Sequence, residues 1–196
     1  MKIAIDLDNT INDLMTPWLA WYDEKYDDGL SIDDITDWDI TRFVNCGDEI
    51  YDFLSIPGSF LNTLIQPGAA SVMEWLNDRF DTYIVTACTF NGKNGRVFEE
   101  KSTWIQNHLP FINLRQVIFA HDKSVIDADY MIDDGLHNLR NFRGTGIVFD
   151  RPWNRKTLIY RIYRRVYNWL DIKWYFDRVI NERLSIEWTT KSTPDV

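Results

Sequence analysis

Five short apolar runs, separated by stretches of helical spacing, constrain this chain more than any other feature. They are residues 2–8 (KIAIDLD), 82–86 (TYIVT), 116–120 (QVIFA), 129–132 (DYMI) and 146–149 (GIVF). Each is too short for a helix and rich in β-branched or aromatic residues, so each reads as a buried strand. Between them, residues 69–80 set Val72, Met73, Trp75, Leu76 and Phe80 at helical intervals, and residues 96–108 read as a second helix. Strands that alternate with helices predict an α/β chain: a Rossmann-like, three-layer core built on a parallel sheet. In such sheets ligands gather beyond the carboxyl ends of the strands.

Residues 13–66 interrupt this pattern. The stretch is acidic and Trp-rich, lacks strong strand runs, and reads as helical over 14–26 and 46–54. Gly29, Pro57-Gly58 and Pro67-Gly68 punctuate it. It is expected to be a small helical insert after the first strand, which leaves residues 1–12 and 67–154 as the core. Residues 155–183 read as one or two basic, aromatic helices. Tyr160, Ile162, Tyr163, Val166, Tyr167, Trp169 and Leu170 alternate there with Arg161, Arg164 and Arg165. This C-terminal extension, 155–196, is expected to pack on the core; an oligomer interface or a basic patch is the other reading. Residues 189–196 are expected to fray.

At 196 residues, the length suits one or two domains. Cys46 and Cys88 cannot build a disulfide framework, and no apolar run approaches the roughly 18 residues of a membrane span. A cytoplasmic protein with no membrane partner is therefore expected. Residues 1–150 carry 11 basic and 25 acidic side chains, whereas residues 151–196 carry 10 and 5. An acidic body repels polyanions and disfavours nucleic acid as a partner. A small anionic substrate would need local cations or a metal.

Four polar clusters sit at the strand ends. Asp6 and Asp8, in Asp6-Leu7-Asp8-Asn9-Thr10, can project from one loop as a nucleophile and a general acid/base. Thr86 and the backbone N–H groups from Ala87 onward can hold a phosphoryl oxygen. Lys123 can neutralise both a carboxylate and a phosphoryl group. Asp133 and Asp134 suit a hard divalent cation. Taken singly, each has a plainer reading: a polar turn, a structural threonine, a surface lysine, an Asp-Gly turn.

In this order, the four clusters resemble the motifs of the haloacid dehalogenase superfamily of phosphohydrolases. Residues 122–134 (DKSVIDADYMIDD), with the lysine ten positions before the Asp pair, resemble more narrowly the 5'(3')-deoxyribonucleotidases. Pro57-Gly58-Ser59-Phe60 followed by Pro67-Gly68-Ala69 is similar to that family's return from cap to core. Phe149-Asp150-Arg151-Pro152-Trp153-Asn154 is similar to a segment of its bacterial and phage members.

The resemblance implies a Mg2+-dependent phosphatase of nucleoside monophosphates, in a family whose members are often dimers. Asp6 would be the nucleophile. Asp8 would be the acid/base and would lend its backbone carbonyl to the metal. Thr86 and Lys123 would hold phosphate. Asp134 would bind the metal directly and Asp133 would orient a water of its shell, although the pair could exchange roles. On the substrate side, Ala87 would bind the phosphate through its backbone, Phe60, Trp18 and Phe43 would face the nucleoside, and Trp21 and Trp38 are further aromatic candidates. Two alternatives stand beside this: a phosphatase of another small ester or of a nucleic-acid end, and a nucleotide-binding protein with an idle site.

Overall fold

The computed structural model describes residues 1–88, 95–155 and 163–191. In chain order its elements are β1 (Lys2–Ile5), β2 (Asn12–Asp13), α1 (Met15–Tyr26), β3 (Leu64–Ile65), α2 (Ala69–Asn77), β4 (Asp81–Thr86) and α3 (Gly95–His108). There follow β5 (Val117–Phe119), β6 (Tyr130–Asp133), α4 (Leu136–Arg140), β7 (Thr145–Phe149), β8 (Arg164–Val166) and α5 (Trp169–Lys191). Six strands form one parallel sheet in the order β5-β4-β1-β6-β7-β8.

The strands alternate side chains between two buried faces. Ile3, Ile5, Ile84, Ile132, Ile147 and Phe149 meet α2, α3 and α5 through Met73, Leu76, Trp104, Ile172 and Phe176. Ala4, Val85, Met131 and Val148 point the other way, against Leu139 and Phe142. Burial on both faces is why the strands read as continuous apolar runs rather than alternating ones.

Sheet order positions the site. The chain leaves β1 for β4 and β5 on one side, then returns to lay β6 on the other side of β1. Ile5 is therefore in register with both Ile84 and Ile132. The carboxyl end of β1 is thus a switch point, with β4 and β6 ending beside it.

Between β1 and α2, the stretch expected to be helical is α1 plus short 3-10 segments at Ile32–Asp34, Ile40–Arg42 and Gly47–Ser55. The last replaces the helix expected over 46–54. The antiparallel pair β2–β3 (Asn12 with Ile65, Asp13 with Leu64) pins the two ends of this stretch together. Gly68, at φ +79°, turns the chain into α2. Within it Trp18, Leu19, Tyr22, Ile40, Ile50 and Phe53 form a buried cluster of their own.

The C-terminal expectation is corrected in part. Residues 164–166 are not helical; they form the edge strand β8, parallel to β7. Of its residues Val166 alone is buried, and Arg165 reaches back to Asp150 at 2.6 Å. Three residues are too few to show the alternation that marks a strand in sequence. Trp169, Ile172 and Phe176 of α5 pack on the core. Residues 156–162 and 192–196, on which the rest of the expectation falls, lie outside the described residues.

Candidate active site

The carboxyl ends of β1, β4, β5 and β6 bring the four sequence clusters together. Asp6 follows β1 directly, and its N–H donates to the carbonyl of Ile132 at 2.9 Å. Lys123 lies buried between two carboxylates: its Nζ donates to Asp6 Oδ1 and, at 2.7 Å, to Asp133 Oδ2. Asp133 accepts four hydrogen bonds in all. Its Oδ1 accepts from the Gly135 N–H at 2.7 Å, and both oxygens accept from Asn138 Nδ2 at 3.0 and 3.1 Å. Asp134 differs, for its Oδ2 accepts from the indole Nε1 of Trp153 at 2.9 Å.

Asp8 faces a separate cation. Its Oδ2 accepts from Lys101 Nζ and lies 3.4 Å from the Thr86 hydroxyl, while Oδ1 accepts from Asn12 Nδ2 at 3.2 Å. Lys101 Nζ also donates to Thr86 Oγ1 at 2.9 Å and to the carbonyl of Ala87. The loop that carries both aspartates is held by its own amides. Asn9 sits at φ +59°, a conformation that asparagine tolerates, and its Oδ1 accepts from the Met15 N–H at 2.8 Å. Arg151 Nε donates to the Asn9 carbonyl at 2.6 Å.

Asp6, Asp8, Lys123 and Asp134 open onto one cavity of about 310 Å³. The stretch between β1 and α2 supplies its apolar wall, including Leu14, Trp18, Ile35, Trp38, Ile40 and Tyr51. Of the expected substrate-side residues, Trp18 and Ala87 line this cavity, as does Trp38, which meets His137 edge-on at 4.5 Å. Trp18 is also bound into the stretch's own core, donating to the Ile50 carbonyl at 2.7 Å and stacking on Phe53. Phe60, Phe43 and Trp21 do not line the cavity. Phe60 is fully buried with Lys101 Nζ 4.6 Å from its ring centroid, Phe43 packs on the aromatic cluster, and Trp21 tilts against Phe53.

A sequence model described as "5' nucleotidase, deoxy (Pyrimidine), cytosolic type C protein" matches residues 1–181. The chain belongs to this nucleotidase family. The 5'(3')-deoxyribonucleotidase of Clostridium acetobutylicum is 41% identical over 155 residues, covering 78% of this chain and 83% of that protein. The 5'(3')-deoxyribonucleotidase of Bacillus subtilis is 34% identical over 171 residues, covering 87% and 95%, and one from Bacillus phage SPbeta matches to the same extent. Among solved structures, a haloacid dehalogenase-like hydrolase from Burkholderia xenovorans shares the fold at a TM-score of 0.52. It is 15% identical and is covered to 94% by 87% of this chain.

The nucleotidase site holds more negative charge than its protein cations balance. Burial pushes the Asp6 carboxyl well up, with Lys123 opposing and the charges of Asp133, Asp134 and Asp8 reinforcing. Burial, then the charge of Asp133, pushes Asp134 up to about 7. Burial alone would lower Lys123, but Asp133 and Asp6 outweigh it and raise its pKa. Asp6, Asp133 and Asp134 each offer a carboxylate oxygen, all within 4.8 Å of one another and all buried. Such a hard oxygen donor set, short of positive charge, fits Mg2+.

Two residues of this site escaped the sequence reading. Lys101 has no exposed side-chain surface, although a lysine inside an amphipathic helix normally reads as solvated. The available signal was its position: it shares a helical face with Val97, Trp104 and Ile105, all buried. Its neighbour Glu100 accepts the N–H groups of Gly58 at 2.8 Å and Phe60 at 3.2 Å. Adjacent residues of α3 thereby grip the return loop before β3 and the Asp8 carboxylate.

Proposed function

We propose that this chain is a Mg2+-dependent 5'(3')-deoxyribonucleotidase that hydrolyses (deoxy)nucleoside monophosphates through an aspartyl-phosphate on Asp6. One observation carries the reading. Asp6 and Asp8 open on one cavity but answer to different cations, Lys123 for Asp6 and Lys101 for Asp8. Two carboxylates in unlike surroundings can take unlike roles.

In this account an Asp6 oxygen attacks phosphorus, and the bond from phosphorus to the nucleoside oxygen breaks. Asp8 gives that oxygen its proton, and nucleoside leaves. Asp8 then takes a proton from water, whose oxygen attacks phosphorus and releases inorganic phosphate and free Asp6. Lys123 and the Thr86 hydroxyl hold phosphoryl oxygens, with the Ala87 backbone beside them. Asp6, Asp134 and the Asp8 carbonyl would hold Mg2+, which supplies positive charge to the transferring phosphoryl group. The four donor contacts on Asp133 support a positioning role for it and a direct one for Asp134. The apolar wall, Trp18 included, suits a flat nucleoside.

The reading divides the chain into a core (1–12 and 67–154), a cap (13–66) and a C-terminal extension (155–196). Among the described residues no helix is long and apolar enough to cross a membrane, and Cys46 and Cys88 are unpaired, which fits a reducing cytoplasm. A phosphorylated Asp6 peptide in acid-quenched enzyme tests the covalent step directly. Unmodified Asp6 throughout turnover argues against it.

Lys101 is expected to set the proton-donating geometry of Asp8. Lys101→Met should lower kcat on a nucleotide by about 10²-fold. The loss should be about tenfold or less on p-nitrophenyl phosphate, whose leaving group needs no proton. Equal losses on both substrates would remove this role.

The raised carboxyls also give a pH dependence. Between about pH 4, the unfolded value, and about pH 7, the folded chain holds more protons than the unfolded one, so metal-free stability falls as pH rises. Mg2+ competes with those protons, so its stabilising effect should grow over the same window. Thermal melts in EDTA and in Mg2+ from pH 5 to 8 measure the difference. A Mg2+-induced shift independent of pH would contradict the assignment.

A further inference from the structure

The segment from Phe149 to Asn154 stands out in the sequence, yet the proposed reaction uses none of its side chains. It leaves β7, and Pro152–Asn154 form one 3-10 turn. Trp153 and Asn154 are both buried, and both return to a single residue, Asp134. The indole Nε1 of Trp153 donates to Asp134 Oδ2 at 2.9 Å. Asn154 Nδ2 donates to the Asp134 carbonyl at 2.9 Å and to the Phe149 carbonyl at 2.8 Å.

This bracket is itself braced from the sheet edge. Asn154 Oδ1 accepts from Arg165 Nη1 at 2.5 Å and from the Arg151 N–H at 3.2 Å. Arg165 also pairs with the buried carboxylate of Asp150 at 2.6 Å. The buried indole cannot swing away from Asp134 without losing this hydrogen bond. Among the described residues, Trp153 is the single hydrogen-bond donor to the Asp134 carboxylate.

Resting on the Mg2+ reading above, we infer that Trp153 sets the cation preference of the site by committing one Asp134 oxygen to the indole N–H, so that the carboxylate offers a cation one oxygen only. Mg2+ takes six ligands in a tight octahedron and suits single-oxygen carboxylates. Ca2+ takes six to eight at longer range and readily uses both oxygens of one carboxylate. Hydrogen bonds to metal-binding carboxylates tune affinity by about 10- to 100-fold. Trp153 is a positioning residue here, acting through Asp134.

The test is a pair of thermal-shift titrations, Mg2+ alone and Ca2+ alone, on the wild-type chain and on Trp153→Phe, which keeps a ring but loses the donor. The ratio of Ca2+ to Mg2+ dissociation constants is expected to fall about tenfold in the variant. An unchanged ratio, whether both affinities hold or both drop, would overturn the inference while leaving Mg2+ binding intact. A wild-type chain that Mg2+ does not stabilise at all would instead overturn the metal reading beneath it. A second readout needs no variant, in case Trp153→Phe fails to fold. The Trp153 indole N–H resonance of the wild-type chain, assigned through bonds, should shift more on adding Mg2+ than those of tryptophans remote from the cavity, such as Trp75. A resonance that does not move would count against the inference.

Discussion

Asp6→Asn is expected to abolish phosphate release, by about 10⁴-fold or more, while leaving the fold intact. An amide oxygen is a poor nucleophile, and the neighbouring carboxylates are engaged elsewhere, Asp134 by the Trp153 indole and the proposed metal. Asp8 is held by Lys101 and Asn12, and Asp133 by Lys123, Gly135 and Asn138. The substitution also removes a buried acid from a crowded site, where burial and three neighbouring carboxylates already oppose its ionisation. Metal-free stability should therefore hold or rise, although Lys123 loses one partner. Steady-state phosphate release and a thermal melt measure both effects. Near-normal turnover in a folded Asp6→Asn chain would remove Asp6 as the nucleophile.

Lys123→Met should be costly in both respects. The ammonium lies between Asp6 and Asp133, and all three side chains are buried. Removing one member of such a cluster leaves uncompensated charge, at a cost of about 3–5 kcal/mol. The same change takes away a cation from the phosphoryl group, with a further loss of about 10²–10³-fold in kcat. Lys123→Arg should not rescue activity, because a planar fork cannot take the place of a compact ammonium between two carboxylates. Combining Lys123→Met with Asp6→Asn should recover part of the lost stability, since the double change removes charges of both signs. Denaturant unfolding of the three variants measures this. Strictly additive losses would mean that Lys123 and Asp6 do not act as a pair.

The legible part of this molecule is the part where two signals coincide. At Asp6, Thr86 and Asp133 an apolar run ends on a polar residue, so strand and site are read together. Parallel strands in a doubly covered sheet then carry those ends to one edge. Lys123 is legible only through the resemblance of residues 122–134 to the deoxyribonucleotidase motifs, since alone it reads as a surface lysine. Lys101 is not, because its burial comes from long-range contacts with Asp8, Thr86 and Phe60, and a charged residue within a helix carries no strong local mark of those. β8 is illegible for a different reason. Arg164-Arg165-Val166 is short and basic, and its pairing with β7 is a long-range event. Trp153 and Asn154 stand out in the sequence as part of a segment, but only the return of that segment to Asp134 gives them a physical task. The aromatic residues were the least readable. Trp18 and Trp38 reach the cavity, while Phe60, Phe43 and Trp21 pack away from it, and nothing in their spacing separates the two groups.

Phosphate release with Mg2+ from deoxyribonucleoside and ribonucleoside monophosphates, as 5' and 3' esters, beside sugar phosphates and a 3'-phosphorylated oligonucleotide, tests the central claim most directly. The account predicts release from the deoxyribonucleotides well above the ribonucleotides and the other esters, abolished by EDTA and absent in Asp6→Asn. Release confined to sugar phosphates or to the oligonucleotide, or no release from any of them, would contradict it.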